Sequence, residues 1–449
     1  MVRFALSLLI VTLVLVIGAT GFFGFFLLES TPPAITVANP PSFLGRETSI
    51  AIRATDERSG LREISVSLVQ GDKTFHVGSR TFEKGAWWMG NGVKDAEETF
   101  IIRPLDLGLA SGLAKLQVTA RDSSLWDGSR GNEGIWKADV AIDLTPPAIS
   151  LKSTSHNLNS GGTGVATFTV NEDVASAGVR VDGEYFPAYP APGMGKGSYT
   201  AFFAVPYTSD RLERLVVEAV DRAGNVAVTG IPHRIKYHRP KVDRIIITDT
   251  FLASKMPEFT AADPNLTGSP IEIFERINTE LRARNNEEIR AITQAGTPEV
   301  LWEGTFIRLP KASGRAGFPD ERHYIYQGKE IGTTYHLGVD LASLKHAEIP
   351  AANTGIVAHT GYLGIYGNTV IIDHGMGLFS LYAHLSEIGV EKGSRVKRGD
   401  IIGRTGATGL AGGDHLHFSM LVNGHFVNPI EWWDESWIRD RVLANMHAR

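Results

Sequence analysis

After Arg3 the chain runs from Phe4 to Leu28 without a charged residue, 25 consecutive positions that end at Glu29. At 1.5 Å rise per residue this run makes a helix of roughly 37 Å, long enough to cross a bilayer with some tilt. A cleaved signal peptide carries a shorter apolar stretch, about 7–15 residues, before a small-residue cleavage site. Gly18, Ala19 and Gly21 could supply such a site, so residues 1–30 read as a transmembrane anchor with a signal peptide as the alternative. Arg3 before the run and Glu29 after it point to an inside N-terminus. The rest of the chain is then expected on the far side of the cytoplasmic membrane.

At 449 residues the chain is too long for one compact core, and several domains are expected. The net charge of −5 and the lack of any Lys or Arg run leave a nucleic-acid surface without support. Cysteine is absent, which removes disulfides, thiolate metal ligands and thiol catalysis. A bound metal would have to be held by His, Asp, Glu or backbone oxygen.

Two segments open alike. Thr31-Pro32-Pro33-Ala34-Ile35 recurs as Thr145-Pro146-Pro147-Ala148-Ile149, 114 residues later. Each copy continues into short β-rich runs, Ser49–Ala54 in the first and Val165–Val170 in the second. Each closes on a similar strand and turn, Leu116–Asp122 with Gly131-Asn132 and Leu215–Asp221 with Gly224-Asn225. Alternating patterns with Gly-rich turns predict two antiparallel sandwiches, residues 31–144 and 145–240, which resemble immunoglobulin-like modules of bacterial envelope proteins. Such modules are spacers or docking surfaces for other envelope proteins. Trp87, Trp88, Trp126 and Trp136 could bind carbohydrate, but structural tryptophans are the favoured reading.

Residues 241–310 change texture. Arg244–Thr248 reads as a strand, and Ser269-Pro270-Ile271-Glu272 opens a helix with Ser as N-cap, Pro at N1 and Glu at N3. Ile271, Phe274, Ile277 and Leu281 form an apolar stripe read as ordinary packing. This short α/β region is placed to link, cover or regulate the C-terminal part of the chain. From Asp320 onward the chain holds ten of its fourteen histidines, with many glycines and short β-like runs. A small, mostly antiparallel β domain is expected over residues 311–449, with a helical ending from Trp432 to Ala448. The fold class is therefore mainly β.

Three pieces carry chemistry: His336-Leu337-Gly338-Val339-Asp340, Tyr382-Ala383-His384-Leu385 and His415-Leu416-His417. Side chains on a strand repeat every two residues, so His415 and His417 share a face, as do His336 and Asp340 if that stretch is extended. Catalytic zinc takes three protein ligands and leaves one position open, and two His with one Asp make such a set. There is no H-E-x-x-H, so the Glu base of other metalloproteases has no counterpart.

These pieces sit among others: Gly367-Asn368-Thr369-Val370-Ile371-Ile372-Asp373-His374-Gly375, Ser380–Ser386, Val396-Lys397-Arg398-Gly399-Asp400-Ile401-Ile402-Gly403 and Thr405-Gly406-Ala407-Thr408-Gly409. Together, from Gly328 to Pro429, they resemble the lysostaphin/LytM-type zinc endopeptidases that cut peptidoglycan cross-links. The resemblance implies one zinc ion per chain on His336, Asp340 and His417, with His384 and His415 as catalytic partners whose individual roles stay open. His374 has a family counterpart that shapes the site, and His323, His346, His359 and His425 are read as non-catalytic. It further implies hydrolysis of peptide cross-links, the D-alanyl–diaminopimelate bond above all, in the periplasm of a bacterium whose inner membrane holds the N-terminal helix. Some relatives have lost ligands and only activate cell-wall amidases. A silent or autoinhibited scaffold is therefore the alternative, although all five positions are intact here. In such peptidases an upstream segment can silence the cleft, a role open to residues 241–310.

Overall fold

The computed structural model describes residues 2–27, 29–83, 92–125, 130–153, 156–294 and 296–448, and within the first helix the side chains of residues 9–21 and 24. That helix spans Val2–Leu27. Leu9, Ile10 and Val11 are exposed along it, as are residues 13–17. Among the described residues no helix is long and apolar enough to cross a membrane. Trp87, Trp88 and Trp126 lie outside the described residues, whereas Trp136 packs partly buried against a core.

The chain is mainly β and divides into two compact units. The first comprises Met1–Pro147 with Val220–Val226. One of its sheets joins Ala34–Ala38, Thr48–Thr55 and Asp95–Ile102; the other runs Phe43–Leu44, Glu133–Ile142, Gly112–Asp122, Leu61–Gln70 and Lys73–Thr81. Strand alternation buries Ile50 and Ile52 of the first sheet and Ile64, Val66, Leu116 and Val118 of the second in one cluster. The pairing is antiparallel except at Phe43–Leu44, which runs parallel to Glu133–Ile142. The repeated Asp and Asn prove to be turn locks. Asp122 Oδ1 accepts from the Ser124 and Asn132 amides (3.0 and 2.7 Å) and Oδ2 from Asn132 Nδ2. Asp221 does the same with the Ala223 and Asn225 amides and Asn225 Nδ2, each at 2.8 Å.

The second unit comprises Ala148–Ala219 with Ala227–Arg449. It contains a four-stranded sheet, Tyr189–Pro190, Ser198–Ala204, Thr163–Val170 and Ile149–Leu151. Val242–Ile247 pairs in parallel with Glu321–Tyr326. Then come a helix at Asp249–Ala262 and a continuous helix from Pro270 to Thr293. The latter starts with the capping box expected at Ser269 and Glu272 and contains a π turn at Ile277–Leu281.

The largest sheet has eight strands. Its path is Ser313–Ala316, Val339–Ala342, Leu416–Val422, Leu378–Leu385, Asn368–Gly375, Gly355–Tyr362 and Arg395–Val396, with His425–Val427 added beside Leu416–Val422. Its central strands are buried on both faces, which is why they read as near-continuous apolar runs.

One apolar core runs through the second unit, from Phe168 and Phe202 to Phe418 and Val442. Its seam is Trp432, fully buried among Phe202, Trp302, Phe306 and Trp437 at ring-centroid distances of 5.3–6.1 Å. The adjacent Glu431 is also buried, accepting from Asn159 Nδ2 and the Thr163 amide, both at 2.9 Å. Burial outweighs those two bonds and raises its pKa from 4.5 to about 7. A carboxyl raised in the folded state contributes stability that is complete below pH 4.5 and disappears as pH rises through about 7. The cost of ionising it in place is about 3 kcal/mol. The midpoint of thermal unfolding should accordingly fall by several degrees between pH 5.5 and 8, and Glu431→Gln should remove most of that fall.

Candidate metal centre

Three neighbouring strands of the large sheet set the site. Asp340 on Val339–Ala342 lies directly opposite His417 on Leu416–Val422, and His417 lies opposite Ala383 on Leu378–Leu385. Directly opposed residues have Cβ atoms about 4.5–5.5 Å apart, so the register alone gathers groups from three strands. His336 follows the strand Lys329–Tyr335, so it reaches Asp340 across a turn and not along one extended strand. Gly338 makes that turn feasible. A Cβ there would stand 2.5 Å from His417 Nε2 and 2.6 Å from Ser419 Oγ.

His336, Asp340 and His417 are buried and converge. His336 Nε2 is 2.9 Å from Asp340 Oδ1 and 2.9 Å from His417 Nδ1, and His417 Nδ1 is 3.0 Å from the same Oδ1. The outer ring nitrogens define the tautomers. His336 Nδ1 donates to the Gly317 carbonyl at 2.8 Å. Ser419 Oγ donates to the Leu337 carbonyl, so it accepts from His417 Nε2 at 3.0 Å. Both inner nitrogens therefore present lone pairs to a carboxylate oxygen. Three acceptors within 3.0 Å of each other repel unless a cation lies among them. His and carboxylate donors, fixed by outer hydrogen bonds, suit a zinc ion.

Arg322, on the strand Glu321–Tyr326, donates from Nη2 to Asp340 Oδ2 at 2.9 Å and so holds the second carboxylate oxygen. With no ion at the centre, burial would raise the Asp340 pKa, but the charge and hydrogen bond of a protonated His336, with hydrogen bonds from His415 and His417, hold it well below the usual range. Burial lowers His417 to about 4.

His384 and His415 stand beside this group, their rings 4.9 Å apart, and the His384 ring lies 5.8 Å from that of His417. Strand Leu378–Leu385 carries one extra residue where it pairs with Asn368–Gly375, a bulge that includes His384. There His384 adopts φ +65°, a left-handed conformation that L side chains seldom take. Its Nδ1 donates to the Thr408 carbonyl at 2.8 Å, leaving a lone pair on Nε2. Burial and the neighbouring His415 push its pKa well below 6.5. His415 Nδ1 faces the Gly413 carbonyl at 2.8 Å and Nε2 lies 3.5 Å from Asp340 Oδ1. Burial lowers its pKa, but the Asp340 hydrogen bond and charge outweigh burial, and the net direction is up.

The five predicted residues thus line one cleft of about 380 Å³. His374 is buried away from it, donating to the Thr354 carbonyl, and His323, His346, His359 and His425 do not line it. Residues 241–293 contribute much of its wall, through Ile245, Phe251, Phe274 and Arg282. Phe274, read from sequence as simple packing, belongs to this wall. Glu258 Oε1 accepts from the Gly409 amide (2.6 Å) and the Tyr362 hydroxyl (3.2 Å), and Lys255 Nζ donates to the Ala407 carbonyl. These bonds tie the wall to the loop whose Thr408 carbonyl orients His384. Arg322, Arg282 and the Tyr366 ring, 5.6 Å from His417, were not found by sequence reasoning. None lies within the H-x-x-x-D or H-x-H pattern.

Asp340 and His417 on adjacent antiparallel strands, with His336 before the turn, make a buried trio that could hold a metal ion. Residues 334–429 match peptidase family M23, and this part of the chain is an M23 peptidase domain. It is 40% identical over 95 residues to the DD-carboxypeptidase/endopeptidase Mpg of Neisseria meningitidis and 38% identical over 96 residues to the peptidoglycan DD-endopeptidase ShyA of Vibrio cholerae. Each match spans 21% of this chain and 22% of the relative, so the likeness concerns about a fifth of either protein. The catalytic domain of lysostaphin from Staphylococcus simulans is 27% identical, covering 29% of this chain and 98% of that one, with a TM-score of 0.25.

Loss of an outer hydrogen bond to a metal-ligating histidine typically costs 10–100-fold in metal affinity. Ser419→Ala should therefore weaken zinc binding by at least about tenfold, measured by competition with a chromogenic chelator, while thermal unfolding of the chelated protein stays close to wild type.

Proposed function

We propose that this chain is a zinc-dependent endopeptidase that hydrolyses peptide cross-links of bacterial peptidoglycan, with the D-alanyl–diaminopimelate bond as its target. The observation that carries this reading is the convergence of His336 Nε2, Asp340 Oδ1 and His417 Nδ1 inside the M23 domain. The names of the relatives, DD-endopeptidases among them, support the substrate class.

His336, Asp340 and His417 would hold the ion, which when bound supplies Lewis acidity and eases deprotonation of water. His384 keeps an unprotonated Nε2 facing the site, which suits a general base. His415 points its Nε2 at the Asp340 carboxylate, an environment that favours carrying a proton, which suits donation to the developing oxyanion or the leaving amine. Arg322 fixes the carboxylate plane, and the apolar wall keeps water out. We further read Val2–Leu27 as a single-pass anchor in the inner membrane, with the remainder in the periplasm. The strand order of the first unit supports an immunoglobulin-like module that spaces the peptidase from the membrane or docks envelope proteins.

The purified full chain should solubilise sacculi in a zinc-dependent manner. His384→Ala and His415→Ala should keep bound zinc yet lose at least about a hundredfold in rate, whereas His417→Ala should lose the metal itself. Metal loss in either of the first two variants would show that ligand and catalyst have been exchanged.

The amidase-activating or autoinhibited alternative would require residues 249–293 to plug the site. They wall a cleft that keeps about 380 Å³ open beside the histidines. A Lys255→Ala/Glu258→Ala chain should then cleave more slowly than wild type, because the wall loosens. Faster cleavage would make the segment an inhibitory lid.

A further inference from the structure

The cleft holds a cation without an anionic partner. Arg282 follows the π turn Ile277–Leu281 and lines the same cleft as His336, Asp340, His384, His415 and His417. Its Nε and Nη2 both donate to Asn278 Oδ1, at 3.2 and 2.7 Å. Asn278 is buried within the π turn and neutral, so it positions the guanidinium without neutralising it. Among the described residues Arg282 makes no ion pair. Asp340 is the one carboxylate among the lining residues; its Oδ1 faces the candidate metal position with the two histidine nitrogens and its Oδ2 accepts from Arg322. The Arg282 charge is therefore available to an anion that enters the cleft.

The surroundings raise the value of that charge. Phe251, Phe274, Leu337, Ile365 and Leu410 line the cleft and exclude water, which strengthens an ion pair formed there. Planar guanidinium matches a carboxylate bidentately and matches a neutral amide far less well. In a D-alanyl–diaminopimelate cross-link, the carbon that bears the scissile amide nitrogen also bears a free carboxylate. A glycine bridge has no carboxylate at that place.

We propose that Arg282 is a specificity-determining residue that binds the carboxylate beside the scissile bond, so that the enzyme selects cross-links carrying a free acid over amidated or glycine-based ones. The inference rests on the peptidoglycan reading and names its substrate more narrowly. It also gives the helix Pro270–Thr293, which lies outside the matched domain, a direct part in recognition.

The test compares two synthetic cross-linked stem peptides, one with the free diaminopimelate carboxylate and one with that carboxylate amidated. The zinc-loaded full chain should show a kcat/KM ratio of about tenfold or more in favour of the acid, arising in KM, as expected for one charge-assisted pair. In Arg282→Gln the ratio should fall to about 1, and Arg282→Lys should restore part of it. The wild-type ratio needs no variant to fold. Equal cleavage of the two peptides by wild type, or an undiminished ratio in Arg282→Gln, would overturn the role of Arg282 while leaving the peptidase reading intact. Cleavage of neither peptide by wild type would overturn that reading and this inference with it.

Discussion

The mutual repulsion of three acceptor atoms is the constraint around which the C-terminal domain is organised. His336 Nε2, His417 Nδ1 and Asp340 Oδ1 lie within 3.0 Å of one another in a buried place. Unpaired buried polar groups are costly, and a buried carboxylate more so. The domain answers with fixed partners on every outward-facing atom: the Gly317 carbonyl, Ser419 Oγ and the Arg322 guanidinium. What is left is the centre, where these three atoms could hold a metal ion. Sheet register, the glycine at 338 and the bulge at His384 all serve to keep that centre small.

The same logic extends outward by one layer. His384 depends on the Thr408 carbonyl, the loop carrying Thr408 depends on Glu258 and Lys255, and those belong to a helix outside the matched domain. A side chain near the chemistry is thus positioned by residues about 130 positions away in sequence. Local backbone strain at His384, with φ +65°, is tolerated because the strand on one side and the Thr408 carbonyl on the other leave the ring no other seat.

Much of this was legible in the amino-acid sequence, for identifiable reasons. The five site residues sit in short patterns, and period-2 spacing on strands puts His415 and His417 on one face. The helix start at Ser269 was readable because capping is a local interaction. The Asp–Asn turn locks were visible as a repeat, although their hydrogen bonds were not. Arg322 and Arg282 left no local signal, since their proximity to the site comes from a parallel strand pair and from a π turn, both products of tertiary packing. Phe274 packs in the core as its place in the stripe predicts, and it also borders the cleft, which the stripe does not reveal. An apolar stripe on a helix looks the same whether it faces a filled core or the wall of a cleft. The first helix, Val2–Leu27, reads clearly from its uncharged run.

The aromatic seam at Trp432 has a consequence for how this architecture can be dissected. Trp432 and Glu431 lie near the C-terminus, yet they are seated against Phe202 and Thr163 of the four-stranded sheet and against Asn159 of a neighbouring strand, all more than 200 residues earlier. A fragment cut at the start of the peptidase domain would present a fully buried indole and a buried carboxyl to water at once. The four-stranded sheet that follows Ala148 shares one apolar core with the peptidase domain and serves it as a foundation rather than as a bead on a string.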